Sequence, residues 1–459
     1  MSATDTVLPG PKVRRIHVPR KLRNLELALL LFAMGLNVSA VILVQLGVGI
    51  EPDYSILQFA MIPSLLALGL HFVLRFRAPD ADPFILPIAT LLNGLGVAMI
   101  YRIDLGRGDT GWESFSVRQL AWTTIAMVLA FLVVLFLNNY RVLQRFTYLF
   151  MVAGILLLLM PFLPGIGRTV NGAALWISFA GFTFQPGEVA KICLAIFFAG
   201  YLVQHRDSLA MVGPKVLGIR FPRARDLGPI LVIWAASLGV LIFQHDLGTS
   251  LLYFGLFVVM LFVATGRASW ILLGLGLFAL GAVLAIQSIS YVNYRVEGWL
   301  RAFDQENYEA MGGSYQLVQG IFGMAAGGLP GTGLGEGRPG IVPLAESDFI
   351  IPSLGEELGL IGLFAIFALY ILLVSRGFKI GFAGQDDFGR LLSVGLAFVI
   401  GLQCFIVIGG VTRVIPLTGL TTPFLAAGGS SLVANWIIVA ILLRLSDNVR
   451  QQPRMVIGG

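Results

Sequence analysis

The chain has 459 residues, 57% of them hydrophobic and only 12% charged, with a net charge of +6. Soluble domains carry roughly 25% charged residues, so this composition excludes a soluble enzyme and describes an all-α polytopic membrane protein. The two cysteines, Cys193 and Cys404, lie in apolar runs, which excludes a disulfide framework or a cysteine metal site.

Residues 1–24 are polar and basic, and no small-residue cleavage site closes the apolar run that follows. They are read as the cytoplasmic start of a retained signal anchor. Apolar runs of spanning length come at about 25–48, 55–75, 84–103, 118–138, 145–164, 188–204, 228–244, 249–265, 269–287, 354–375, 391–411 and 430–446. They predict about twelve transmembrane helices with both termini on one side. Placing the termini in the cytoplasm puts 22 of the 31 Lys and Arg residues on inner segments, as the positive-inside rule requires. The basic balance then reflects anionic lipid headgroups and not nucleic acid. No internal repeat stands out, which weakens a transporter built on duplicated halves.

One outer segment is long, roughly 288–353. Its stretch 315–326 is apolar enough for a short amphipathic helix lying on or dipping into the membrane, and GGLPGTGLGEG after it is loop by composition. Residues 336–360, EGRPGIVPLAESDFIIPSLGEELGL, hold five acids where this loop meets the tenth apolar run: Glu336, Glu346, Asp348, Glu356 and Glu357. Carboxylates at the mouth of a helix bundle are costly to desolvate and mark a candidate site. Asp348 suits a base toward a sugar hydroxyl, a ligand for a divalent cation such as Mg or Mn, or a first-turn helix cap. Glu356 and Glu357 are adjacent and cannot share a helical face; they read as structural partners, one toward the bundle and one toward the outer surface.

In FQPGEVAKICL, Glu188 and Lys191 stand at i,i+3 and read as a self-neutralising pair at the membrane edge, bordering a cavity. In QHDLGTS, Asp246 reads as a helix cap with His245 facing water. The outer cations Arg168, Arg295, Arg301, Arg338 and Arg413 are the candidates for binding a pyrophosphate, each also serving as a headgroup anchor. The Gly/Pro-rich stretch 409–431 is tolerable at membrane depth only as the wall of a cavity.

Taken together and in order, FQPGEVAK, QHDLGTS, SYQLVQGIFGMAAGGLPGTGLGEG, ESDFIIPSLGEELGLIG and IPLTGLTTPFLAAGGSS resemble the SEDS family, which includes RodA and FtsW, and the ending resembles its actinobacterial RodA-type members. The resemblance runs over about 84–446. It implies a ten-helix core there, two added helices within 25–83, and a short cytoplasmic tail at 447–459. The implied activity is a glycosyltransferase that polymerises lipid II into peptidoglycan glycan strands on the outer face of the cytoplasmic membrane. A class B penicillin-binding protein, a transpeptidase, is the implied partner. The family's essential loop acid carries over onto Asp348, and its Pro, Glu and Lys positions onto Pro186, Glu188 and Lys191. The chain departs from the family at Gly187, at Leu175 before Trp176, and at His245. The rival readings are a septal FtsW-type polymerase, a flippase for the lipid-linked precursor and a scaffold for the transpeptidase.

Overall fold

Inside a bilayer no water is available to pair backbone N–H and C=O groups, so apolar runs of this length must close their hydrogen bonds within helices. The structure, a computed structural model, describes residues 21–451 apart from 171–172, 180–181, 210–214, 217–218, 221–226 and 311. Most of the basic N-terminal segment, the centre of the basic loop near residue 220 and the tail beyond residue 451 lie outside the described residues.

The helices are α1 (Lys21–Val48), α2 (Ile62–Arg77), α3 (Ile85–Arg107), α4 (Phe115–Phe136), α5 (Arg141–Arg145), α6 (Thr147–Leu159), α7 (Pro186–Leu209), α8 (Gly228–Gln244), α9 (Leu247–Thr265) and α10 (Ala268–Ser288). They continue with α11 (Ser290–Leu300), α12 (Gln305–Glu309), α13 (Tyr315–Gly327), α14 (Ile350–Ala383), α15 (Asp387–Val411) and α16 (Gly429–Gln451). Among the described residues ten helices are long and apolar enough to cross a membrane, and Thr147–Phe162 and Gly228–Gln244 are shorter apolar helices. The expected twelve runs are thus ten full-length spans and two short ones.

The bundle is organised around α3 and α16, which are buried along nearly their whole length. α16 packs on α4, α14 on α15, and the N-terminal α1 on α3. Trp436 of α16, fully buried, donates its indole N–H to Asn93 of α3 at 3.3 Å. Buried indoles need such a partner, and here it ties the two central helices together.

Three features depart from the sequence expectation. The loop after α6 holds a three-stranded antiparallel sheet, β1 (Gly167–Val170), β2 (Ala173–Phe179) and β3 (Phe182–Phe184), in a mostly helical membrane protein. The long segment 288–353 carries α11 and α12 as well as the expected helix, α13. The tenth run begins earlier and ends later than 354–375, with a break at Gly359 (φ 65°, ψ −172°). A side chain at Gly359 would strike the backbone of Gly331, which is itself at φ 87°. Only glycine allows both conformations and so close an approach. At this break the loop 328–333 lies against α14, with Thr332 N–H donating to Glu356 O at 3.0 Å and Leu360 N–H to Gly328 O at 3.0 Å.

Candidate active site

The starts of α7, α9 and α14 lie at one end of the bundle. Pro186 opens α7, where its missing N–H costs nothing, and Gly187 O accepts the Tyr253 hydroxyl of α9 at 2.9 Å. Asp246 caps α9, accepting Thr249 N–H at 2.9 Å as well as the Thr249 hydroxyl. The helix starts contribute partial positive charge to the space they face.

Asp348 lies two residues before α14. Leu344, in the left-handed conformation (φ 53°), starts a tight turn in which Ser347 N–H and Phe349 N–H reach Leu344 O at 3.1 and 3.4 Å. Ala345, Glu346 and Phe349 are buried, whereas Asp348 is half-buried. Asp348 is not a helix cap: Phe349 holds the N-cap position with no side-chain cap bond. Among the described residues no hydrogen bond satisfies the Asp348 carboxylate. Burial raises its pKa to about 6; Arg295 opposes this, and Asp246 and Glu346 add to it. Burial raises Asp246 as well, with Glu188 adding to the shift and the Thr249 bonds and Arg295 opposing it. Gly419 of the 412–428 segment faces the Asp348 carboxylate.

Of the five candidate cations, Arg295 on α11 is the one in the field of Asp348 and Asp246. It donates to Leu417 O at 3.1 Å and lies 5.0 Å over the Tyr291 ring. Arg413 spends its guanidinium on the carbonyls of Trp299 and Leu300, at 2.9 and 2.8 Å, where it helps line a cavity of about 640 Å³ with Phe303 and Met324. Arg168 and Arg301 are exposed, and Arg168 stands opposite Trp176 across β1 and β2. Arg338 is exposed and engages Glu356 through its backbone N–H at 2.7 Å.

The Glu188 carboxylate meets Lys191 at 2.5 Å, and Lys191 also donates to Gln403 at 2.8 Å. Gln403 passes the link on to Thr421 O at 2.9 Å. The pair is almost wholly buried and supports the wall formed by the 412–428 segment. The expectation that Glu356 and Glu357 point apart is corrected: both are buried under the same loop. Glu357 binds Arg102 of α3 at 3.0 Å and Gly335 N–H at 2.9 Å, while Glu356 holds Arg338 N–H. The helix ahead of the Gly359 break is covered by the loop, which gives both faces a partner. His245 is also corrected: it is half-buried, at φ 56°, edge-on to Tyr291 at 5.9 Å.

The sequence reading did not single out Arg102, Arg107 or Tyr291. Arginines at the end of an apolar run were the available signal for the first two. Among the described residues no three His, Cys, Asp or Glu side chains gather as a metal cage. Of the carboxylates nearest the site, Asp246 is committed to its cap. Asp348 is a single carboxylate, and a Mg2+ ion held there would draw its remaining ligands from substrate phosphates and water.

The fold and site define a multi-pass membrane protein with an unbonded carboxylate set among helix starts at one end of its bundle. The chain belongs to the FtsW/RodA/SpoVE cell cycle protein family, whose model matches residues 83–451. It is 43% identical to the peptidoglycan glycosyltransferase RodA of Mycobacterium tuberculosis over 435 residues, 94% of this chain and 92% of that protein. The RodA of Mycobacterium leprae is 42% identical over the same shares. The probable peptidoglycan glycosyltransferase FtsW of Geobacter metallireducens is 32% identical, over 84% of this chain and all of that one. A solved structure of a peptidoglycan synthase complex that coordinates polymerization and crosslinking matches with a TM-score of 0.60 and 26% identity, covering 78% of this chain and 97% of that one.

Proposed function

We propose that the chain is a RodA-type peptidoglycan glycosyltransferase that polymerises lipid II during cell elongation, with Asp348 as its base. The observation that carries the role of Asp348 is the contrast within one segment. Glu346, Glu356 and Glu357 are all committed to structural bonds, and the Asp348 carboxylate is left free to act.

In the step proposed, the acceptor's sugar hydroxyl loses its proton to Asp348 as its oxygen attacks the anomeric carbon of the donor. The bond to undecaprenyl pyrophosphate breaks, and the leaving group takes the electron pair. An α-linked donor giving a β-linked strand is one inversion, which needs one base and no covalent intermediate. With a pKa near 6, about nine in ten Asp348 side chains are ionised at pH 7, and the base is stronger than an ordinary aspartate. Arg295 and the facing helix starts supply positive charge for the departing pyrophosphate. The termini are placed in the cytoplasm and the site on the outer face, by the charge bias of the loops. A class B penicillin-binding protein is the proposed transpeptidase partner, in keeping with the synthase complex that the fold matches. The higher identity to RodA proteins than to FtsW favours elongation over septation.

The test is glycan-strand synthesis from labelled lipid II by the purified protein with its transpeptidase partner. Wild type is expected to make polymer, and folded Asp348→Asn none. Equal polymer from both would remove Asp348 as the base.

A further inference from the structure

Asp348 hangs from a turn that needs holding, and one buried acid in that turn has no part in the proposed chemistry. Glu346, two residues earlier, accepts a hydrogen bond from Arg107 Nη2 at 2.7 Å, with only 3% of its side chain exposed. Arg107 is the last residue of α3, so this bond spans from the central helix to the outer loop. The Glu346 carbonyl in turn accepts Ala427 N–H at 2.7 Å from the segment leading into α16. One residue therefore fastens the turn on two sides, by its side chain to α3 and by its backbone to the 412–428 wall. The flanking Ala345 and Phe349 are fully buried, so Asp348 is carried between fixed points.

The same helix holds the loop at a second place. Arg102, five residues earlier on α3, binds Glu357 at 3.0 Å and Gly337 O at 2.7 Å. α3 thus grips this segment at two places, Gly337 and Glu346, and Arg107 is the grip nearer Asp348.

Building on the proposed function, we infer that Glu346 and Arg107 are positioning residues for the transfer reaction: their ion pair sets the place of the Asp348 carboxylate against the acceptor hydroxyl. A base displaced by an ångström loses about 100-fold in rate without losing substrate affinity, because binding and proton transfer depend on different contacts. The pair is charge-assisted, and its geometry needs a single cationic N–H donor.

The experiment measures initial polymerisation rate against lipid II concentration for the full-length protein with its transpeptidase partner. Rates are expressed per folded molecule, as counted by thermal melting and size-exclusion profiles. Glu346→Gln and Arg107→Ala are each expected to lower kcat ten- to 100-fold with KM within about twofold of wild type. Arg107→Lys keeps a cationic donor, and is expected to retain at least a third of the wild-type kcat; it also covers the case in which the alanine variant fails to fold. Rates per folded molecule within twofold of wild type in Glu346→Gln would overturn the inference, as would Arg107→Lys falling as far as Arg107→Ala. Asp348→Asn is run alongside. If it polymerises normally the reading of the base fails, whatever the two positioning variants do.

Discussion

The two ends of the bundle handle buried charge in opposite ways. At the end away from the site, Asp82 is satisfied three times over: Arg376 grips it through Nε at 2.9 Å and through Nη2, Arg450 reaches it at 2.9 Å, and Phe84 N–H donates at 3.0 Å. Beside it, Asp447 accepts Asp80 N–H at 2.9 Å, and Arg444 donates to Leu137 O and Arg77 O at 2.5 Å each. These groups join the loop between α2 and α3 to the ends of α14 and α16. At the site end, Asp348 has burial without such bonds, and its raised pKa is the physical trace of that difference. A buried charge with every lone pair occupied holds a fold together, whereas one left unpaired is a liability retained where chemistry needs it.

The strongest way to break this comparison is a paired substitution. Asp348→Asn is expected to cut polymerisation by at least about 100-fold, the scale of a lost general base, while its thermal unfolding midpoint stays at or above the wild-type value. Asp82→Ala should do the reverse, costing about 3–5 kcal/mol by stranding Arg376 and Arg450, with the rate per folded molecule unchanged. Melting in detergent and the lipid II assay read the two quantities separately. If Asp82→Ala lost activity per folded molecule, the two ends would not be independent.

Between these extremes lies the Glu188–Lys191 pair. Breaking it with Lys191→Met leaves a buried carboxylate, with a cost of about 3 kcal/mol, and a double change to Glu188→Leu and Lys191→Met should recover most of it. A double variant no more stable than the single one would mean that Glu188 keeps another charged partner.

The pH dependence follows from the same contrast. Asp348 must be ionised to accept a proton, so the rate is expected to fall tenfold per unit as pH drops below about 6. For stability the sign is opposite. The folded pKa lies above the unfolded value of about 3.9, so ionising Asp348 costs the folded state more than the unfolded one. That cost appears as pH rises from about 4 to 6, and Asp348→Asn should remove it. The smallest effect is expected from Arg301→Ala, whose exposed side chain should change stability by less than about 0.5 kcal/mol.

Part of this site was legible in the linear chain. Asp348 stood out because a carboxylate at the edge of an apolar run is costly wherever it points, and Glu188 and Lys191 pair within one helical turn. Glu356 and Glu357 were read as structural partners and both are bonded so, but the rule for adjacent helical residues takes no account of a loop that folds back over the helix and buries both. The β1–β3 sheet was missed although Asn171-Gly172, between β1 and β2, is a hairpin-turn signal; the strands beside it are too short for an alternating pattern to stand out.

What the sequence determined by itself was membrane residence, the approximate place of the apolar helices, and the segment bearing the candidate acid. These follow from local composition and from the rule that a backbone in lipid must bond to itself. What only the tertiary structure decided was which charges meet. Arg102 and Arg107 reach acids more than 200 residues away in sequence, and Arg295, alone among the five candidate cations, comes into the field of Asp348. Periodicity fixes which way a side chain leaves its own helix; the packing of distant helices and loops fixes what it finds there.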